Sequence, residues 1–292
     1  MNADAATMID ARTALKRLLK DYSAEVTTPD RKSLDAAADL MRPGSRVYIA
    51  SLPTDTPDKQ IAAAAHVRKS GLEPVPHVVA RNIESMASLD NLLARLSGEA
   101  GVDRALVLGG DRDKPAGALT ESLQIIQSGY LQKYGINKIA IGCYPEGHPR
   151  ISEKALDDAR AAKLAAAEAA GLEIILVSQF CFDAKPIIAF AERIRAQGVK
   201  ARFRVGVAGP AKHSTLLKYA MICGVGPSLR ALKERQDLAK NMMSGETPEA
   251  VLTQVGLAQA ANPALDIWGV HFFTFAALAK SIDWAEGILK GD

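Results

Sequence analysis

The stretch KIAIGCYPEGHPRISEKALDDARAAKLAAAEAAGLEIILVSQF, residues 138–180, contains one complete strand–helix–strand unit. Its two β-branched runs, KIAIGCY and EIILVSQF, flank an Ala-rich segment of helical period, which is typical of parallel strands joined by a helix. Ser152, followed by Glu153 in the first turn, is placed to cap the start of that helix, and Gly171 is placed to end it. This unit predicts a parallel α/β fold.

The same unit recurs along the chain. Eight such units predict a (β/α)8 barrel, or TIM barrel, forming a single domain over residues 1–292. An open doubly wound sheet is the structural alternative, because a count of strands does not establish closure. The β-branched runs begin at Tyr22, Arg46, Pro74, Arg104, Lys138, Glu173, Ala201 and Asp266. The helices are predicted at 32–41, 57–70, 84–98, 119–132, 152–170, 184–197, 211–223 and 276–290.

Two segments lie outside these eight units. Residues 1–21 have the pattern of an amphipathic N-terminal helix, and the irregular stretch 224–262 predicts a pair of extra helices before the eighth strand. Thr247-Pro248-Glu249 is a predicted helix start, with Pro248 at the first helical position. Whether the extra helices cover the barrel opening is left open by the sequence.

The composition is that of an ordinary globular protein, with 48% apolar residues, 24% charged residues and a net charge of +3. No run approaches the ~20 apolar residues of a membrane span, and the N-terminus lacks the apolar block of a signal peptide. Three cysteines without a CxxC pair fit a reducing compartment. We therefore expect a cytoplasmic homo-oligomer with no membrane partner, and the interspersed charges predict no nucleic-acid partner.

Polar side chains collect at the C-terminal ends of the predicted strands, where a barrel of this type performs chemistry. Glu25 is the sharpest case, because partial desolvation would raise the pKa of its carboxyl group and suit a general acid. An ordinary salt bridge or a helix N-cap partner is the alternative. A single histidine at a strand end is also often structural. The strand-end set is Glu25, Thr27, Ser51, His77, Asp111, Tyr144, Glu146, His148, Gln179, Asp183 and His271.

Three loops carry most of this chemistry. The turn Gly109-Gly110-Asp111 lets the backbone approach a flat or anionic group, although such turns are also common without a ligand. The stiffened loop 143–149 presents Tyr, Glu and His together, and its spacing does not dictate a metal site. The segment 179–183 places an amide and two aromatic rings where they can grip a planar heterocycle, unless Phe180 and Phe182 belong to the core.

Taken in order, these segments resemble the methylenetetrahydrofolate reductase family, in which a flavoprotein barrel uses FAD to reduce methylenetetrahydrofolate to methyltetrahydrofolate. The resemblance runs from about Tyr22 to Phe275. Its most specific motifs are YPEGHP at 144–149 and SQFCFD at 178–183. Supporting motifs are SAEVTTP at 23–29, PH at 76–77, LGGD at 108–111 and HFFTF at 271–275.

The resemblance implies a role for each matching residue. Glu25 would be the general acid, Asp111 would lie near the flavin and the pterin, and Gln179 would hydrogen-bond the folate. Phe180 and His213 would also contact substrate. The positions implied for FAD are Ser51, His77, Gly109, Gly110, Asp111, Tyr144 and His148, together with Asp157 or Asp158 and Lys163 for its ribityl and phosphate part.

The chain departs from the family pattern at three positions. Gly109 stands where the family usually has Arg, Lys212-His213 stands where an aromatic residue commonly stacks on nicotinamide, and Ala276 replaces the usual Asn. The electron donor is therefore open between NADH, NADPH and a redox partner protein. Two other functions remain as alternatives: a folate-dependent methyltransferase barrel without flavin, and a non-catalytic flavin- or folate-binding protein.

Overall fold

The computed structural model of the protein describes residues 9–52, 54–223, 225 and 247–291. Its eight strands form a closed barrel, in which each strand pairs in parallel with the next along the chain and the first pairs with the last. Closure confirms the (β/α)8 barrel and excludes the open doubly wound sheet. The strands are β1 Tyr22–Thr27, β2 Arg46–Ala50, β3 Glu73–Val79, β4 Arg104–Leu108, β5 Lys138–Cys143, β6 Glu173–Ser178, β7 Phe203–Ala208 and β8 Ile267–Phe273.

The helices lie where the sequence periodicity places them, with one exception. The segment 119–132, predicted as one helix, forms two short helices because Gly129 between them takes a left-handed φ of 76°. The helices of the described residues are α1 Ala11–Leu19, α2 Arg31–Leu40, α3 Pro57–Lys69, α4 Met86–Ala100, α5 Ser122–Gln127, α6 Tyr130–Lys133, α7 Glu153–Ala169, α8 Ala184–Ala196, α9 His213–Ile222, α10 Glu249–Ala261 and α11 Leu278–Lys290.

The predicted helix boundaries at α7 are confirmed, and the boundary at α10 shifts by one residue. Ser152 accepts a hydrogen bond from the backbone N–H of Ala155 at 3.3 Å and so caps α7. Gly171 ends that helix with a left-handed φ of 65°. Helix α10 begins at Glu249 with Pro248 as its N-cap, instead of beginning at Pro248. None of the helices in the described part of the chain has the length and apolarity needed to cross a membrane.

The insertion before β8 contributes α10 to the outside of the barrel. Helix α10 packs against α1 and α8, and Gly256 allows close approach to the carbonyl of Ala14, since a Cβ there would lie 2.8 Å from that oxygen. The second predicted extra helix falls in 226–246, outside the described residues. The first eight residues of the predicted N-terminal helix are also outside them. Helix α10 therefore belongs to the outer layer of helices.

Helix α9 takes a different position, against the C-terminal ends of β6, β7 and β8. Leu216 and Ala220 of α9 pack in an apolar cluster with Phe180, Phe182 and Ala208. This end of the barrel, where the C-terminal ends of the strands meet, is called the mouth below. Helix α9 thus forms part of the wall of the mouth.

The interior of the barrel is divided into an apolar side and a polar side. Val75, Leu106, Ala140 and Val177 fill the side formed by β3 to β6, and Tyr48 completes that cluster. The polar side lies around β1, β7 and β8 and contains Ser23, Glu25, Arg204 and His271. Buried polar groups need partners, so the polar side of the interior is where a functional site is expected.

Candidate active site

Glu25 lies inside the mouth, on β1, between two histidines. Its Oε2 atom is 3.3 Å from Nε2 of His77 on β3 and 3.5 Å from Nε2 of His271 on β8. Both are ion-pair distances that exceed the usual range of a hydrogen bond. Both imidazoles therefore face the same oxygen of Glu25.

The two histidines decide the charge of Glu25. Burial raises the pKa of its carboxyl group, but the interactions with His271 and His77 outweigh burial and lower that pKa from 4.5 to about 2. The prediction of a raised pKa is therefore wrong. The residues around Glu25 in the sequence indicate its burial, whereas the two nitrogen donors come from other strands. Glu25 is a carboxylate at neutral pH.

A second set of polar side chains lies next to His271 in the barrel interior. Oγ of Ser23 is 2.9 Å from Nδ1 of His271, and Nη1 of Arg204 donates to the same Oγ at 3.4 Å. The Arg204 side chain has 0% exposure and pairs with Asp21, with Nη2 2.9 Å from Oδ1. A chain of polar contacts therefore runs from Asp21 through Arg204, Ser23 and His271 to Glu25.

Ser23, Arg204 and Tyr48 are site residues that were not predicted from the sequence. The ring of Tyr48 packs edge-on against His271 with 4.5 Å between the ring centroids. Two local features can identify the others. The period-two alternation of a strand puts Ser23 on the same face as Glu25, and a charged residue within the apolar run of β7 marks Arg204.

Asp111, Tyr144 and His148 form a second cluster at the mouth, at the ends of β4 and β5. The Tyr144 and His148 rings meet edge to face with 5.1 Å between centroids. Burial, together with the charge of Asp111, raises the pKa of Tyr144 to about 12. Burial and the charge of Arg150 lower the pKa of His148, and Asp111 opposes them. The structure thus brings these three predicted residues together.

The loop after β4 holds Asp111 in place through its backbone. Gly110 has a φ of 98°, and a Cβ at this position would collide with the side chain of Val79, so the turn requires glycine. The guanidinium of Arg81 donates to the backbone carbonyl of Arg112 at 2.8 Å. The loop is therefore fastened to the segment that follows β3, which positions the Asp111 carboxylate.

The segment after β6 confirms only part of what the sequence predicts. The backbone N–H of Gln179 donates to the carbonyl of Cys143 at 2.9 Å, and its Oε1 accepts from the N–H of Phe180 at 3.0 Å. The remaining polar group of this side chain is its Nε2 amide, which is a donor. Phe180 has 0% exposure and packs on Phe273 and Phe275, with centroids 5.2 and 5.3 Å away. This burial contradicts the predicted substrate contact of Phe180 and confirms its place in the core.

The acidic and basic residues predicted on α7 have different surroundings. Asp157 pairs with Arg193 of α8 at 2.9 Å, and Asp158 is exposed to solvent. Lys163 is largely desolvated, which lowers its pKa, and it interacts with the charge of Glu121 at the start of α5. The structure therefore places Asp157 toward α8 and Lys163 toward α5, and it does not bring them together.

The remaining predicted residues lie around the rim. Ser51 is half-buried directly after β2, and His213 is half-buried at the first residue of α9. Burial and the charges of Asp111 and Glu25 raise the pKa of Cys223, the C-cap residue of α9, to about 11. Within the described ranges, no group of three or more His, Cys, Asp or Glu side chains is arranged to hold a metal ion.

The chain is similar to a known protein family and to solved structures. Residues 48–276 match the model of the family described as methylenetetrahydrofolate reductase. A solved structure described as an uncharacterized protein from Clostridium thermocellum that binds two copies of 5-methyl-5,6,7,8-tetrahydrofolic acid is similar, with a TM-score of 0.58 and 12% identity over 94% of this chain and 98% of that one. A 2,3-dimethylmalate lyase is also similar, with a TM-score of 0.50 and 11% identity over 96% of this chain and 86% of that one. At these identities the structural matches support the barrel fold.

Proposed function

Because this chain belongs to the methylenetetrahydrofolate reductase family, we propose that it reduces 5,10-methylenetetrahydrofolate to 5-methyltetrahydrofolate with a hydride from a bound reduced flavin. One observation carries the proposal. A carboxylate, Glu25, is held at the mouth by His77 and His271, and the Asp111 cluster lies across the same opening. The solved relative described as binding 5-methyltetrahydrofolic acid supports a folate as the ligand.

Glu25 would act on the folate before the hydride arrives. In this step the bond between the methylene carbon and N10 breaks, its electron pair stays on N10, and N10 takes a proton. Because Glu25 is a carboxylate at neutral pH, the proton would come from solvent and be carried only transiently by the Glu25 carboxyl group to N10. The carboxylate that remains is an anion beside the cationic iminium at N5. Gln179 would hydrogen-bond the pterin through its Nε2 amide, and Asp111 would lie near its ring.

The residues at the mouth fit a flavin in their chemistry. A Cβ added at Gly109 would meet no described atom within 4 Å, so the backbone there is open to a flat ring. The rings of Tyr144 and His148 supply polar edges at the mouth. Lys163, which interacts with the charge of Glu121, would be the cation that binds a phosphate of the flavin cofactor. When bound, a reduced flavin supplies a hydride at N5.

A folate barrel without flavin is the second candidate, and two observations favour it. Gly109 supplies no cation where the family usually has Arg, and Asp157 is occupied by Arg193. Such a protein would be a methyltransferase that passes the folate methyl group to another acceptor, or a binding protein without activity. His213 and the missing aromatic residue beside it leave NADH, NADPH and a redox partner protein open as electron donors.

Absorbance of the purified protein is the first test, because a bound flavin makes it yellow. Anaerobic addition of NADH, NADPH or an artificial reductant, followed by methylenetetrahydrofolate, then reports reduction and folate-dependent reoxidation of the flavin. Protein that neither carries nor binds flavin contradicts the reductase proposal and favours the methyltransferase. Flavin that is reduced but is not reoxidised by the folate indicates the non-catalytic binding protein.

The role of Glu25 is tested with a matched pair of variants. Glu25→Gln keeps the size of the side chain but removes its charge and its ability to relay a proton, so flavin binding should remain and folate reduction should fall by about 100-fold or more. Glu73→Gln at the opposite end of the barrel, where Glu73 pairs with Arg68 at 2.7 Å, is the control and should keep normal turnover. Normal turnover of Glu25→Gln would remove Glu25 from the mechanism.

A further inference from the structure

The hydroxyl of Ser23 connects the buried cation of Arg204 to His271. Arg204 Nη1 lies 3.4 Å from Ser23 Oγ and also donates to the backbone carbonyls of Asp21 and Val270, both at 3.1 Å. A guanidinium has donors only, so Ser23 Oγ must accept in its contact with Arg204. The single proton of the hydroxyl is therefore available for its other neighbours.

Two acceptors compete for that proton. Nδ1 of His271 is 2.9 Å from Ser23 Oγ, whereas the carbonyl of Val270 is 3.4 Å away and already accepts from Arg204. The shorter contact is the better hydrogen bond. Nδ1 of His271 can be the donor or the acceptor in this contact, but Nε2 faces the Glu25 carboxylate, which only accepts. The single proton of a neutral ring therefore belongs on Nε2, and Ser23 donates to Nδ1.

An imidazole whose Nδ1 accepts a hydrogen bond carries its proton on Nε2, which is the atom facing Glu25. His271 is 0% exposed, and burial lowers its pKa. The contact with Glu25 acts to raise that pKa, whereas the charges of Arg204 and His77 lower it further. The neutral ring with its proton on Nε2 therefore fits this environment. Its Nε2–H is directed at Oε2 of Glu25, 3.5 Å away, and contacts of this kind shorten when a ligand closes the site.

We infer that Ser23 and Arg204 are positioning residues that hold His271 in the neutral form protonated at Nε2. The Nε2–H of His271 then engages Oε2 of Glu25 and turns Oε1 toward the ligand. Their effect on Glu25 is exerted through His271, and neither residue touches the folate. The consequence for turnover rests on the proposed function, whereas the protonation pattern of His271 does not.

The test is nuclear magnetic resonance of protein labelled with ¹⁵N at its histidine rings, recorded without folate or flavin. His271→Gln identifies the signals of His271 among the five histidines. In the wild type, Nδ1 of His271 should resonate as an unprotonated nitrogen and Nε2 as a protonated one. In Ser23→Ala, the loss of the donor to Nδ1 should move both signals toward a mixture of the two neutral forms.

Ser281→Ala is the matched control. Ser281 is also 0% exposed, but its Oγ donates to the carbonyl of Ala277, the N-cap of its own helix, so the His271 signals should stay as in the wild type. If the protein reduces the folate, Ser23→Ala should lower kcat by about tenfold, with KM nearly unchanged, because the substrate contacts are intact.

Two results would overturn the inference: a proton on Nδ1 of His271 in the wild type, or identical His271 signals in Ser23→Ala and the wild type. The wild-type spectrum alone shows whether Nδ1 of His271 carries a proton, even if Ser23→Ala does not fold. A wild-type protein with the expected His271 signals but no folate reduction would contradict the proposed function and leave the positioning of His271 intact.

Discussion

Nε2 of His77 lies 3.3 Å from Oε2 of Glu25, although the two residues belong to strands separated by β2. The contact crosses the barrel interior, where the side chain of His77 is 8% exposed and that of Glu25 is 19% exposed. At this depth water screens the carboxylate poorly, so nitrogen donors have a large effect on its charge. The acid–base behaviour of the site is therefore a property of Glu25 together with its histidines.

Replacing His77 should show how much Glu25 depends on it. His77→Leu removes one donor, so the pKa of Glu25 should rise and the free energy of unfolding at neutral pH should fall by about 1–3 kcal/mol. His77→Gln keeps an amide donor and should lose less. Urea unfolding measures the stability, and the infrared carboxylate band reports the ionisation of Glu25. Equal losses in the two variants would contradict a donor role for His77.

Stability should decrease in two steps as the pH falls. The pKa of His271 is lowered below its ordinary 6.5, so the unfolded chain binds a proton that the folded protein does not, and stability is lost below pH 6.5. The pKa of Glu25 is lowered from 4.5 to about 2. Its contribution to the free energy of unfolding is therefore fully present above pH 4.5 and is lost as the pH falls from 4.5 to about 2. Each proton contributes at most about 1.4 kcal/mol per pH unit.

Urea unfolding between pH 2 and pH 8 measures these steps. His271→Gln should flatten the loss that begins near pH 6.5, because Gln does not titrate. It should also reduce the loss below pH 4.5, because His271 is the strongest of the groups that lower the pKa of Glu25. A stability curve of His271→Gln that runs parallel to that of the wild type across the whole range would show that His271 is not the group responsible.

Arg204 and Arg202 form a matched pair for measuring how much a buried guanidinium contributes to the free energy of unfolding. Both guanidinium groups lie over the ring of Trp268, at 4.5 and 5.2 Å, but Arg204 is buried beside Asp21 and Arg202 is exposed. Arg204→Met leaves the Asp21 carboxylate without this partner and should lower the free energy of unfolding by about 3–5 kcal/mol. Arg202→Met should change it by roughly 0.5 kcal/mol or less. Equal effects would show that burial of the charge does not matter here.

Gly109→Arg tests the proposed flavin position directly. The added guanidinium enters open space and supplies the cation that the family usually has there, so flavin affinity should increase by about tenfold. Gly109→Ala, which adds a methyl group and no charge, is the control and should bind flavin like the wild type. Titration followed by flavin fluorescence measures both. Unchanged affinity in Gly109→Arg would place the flavin away from this loop.

Cys223 offers a reporter of ligand binding that requires no mutation. Cys143 and Cys181 are buried and Cys223 is half-buried near Asp111 and Glu25. Because the pKa of the Cys223 thiol is raised to about 11, alkylation should be slow at neutral pH and faster in alkaline buffer. A saturating folate should slow alkylation of Cys223 by about tenfold or more, measured by mass spectrometry. Unprotected labelling with folate bound would place the folate elsewhere.

The extent to which sequence predicts this protein differs between its fold and its site. All eight strands begin within two residues of the predicted positions, because alternation and helical period are local properties of the chain. The positions of Glu25, Asp111 and Gln179 at the mouth follow from the same pattern. The burial of Phe180 does not, since an aromatic ring at a strand end can face either a ligand or the core.

The sequence by itself determined the order of the βα units, the end of the barrel that carries the polar residues, and the family to which they belong. The tertiary structure alone decided the charge of Glu25 and the partner of His271. The physical reason is that a pKa depends on donors within a few ångströms, and those donors arrive from β3, β7 and β8 only when the barrel closes.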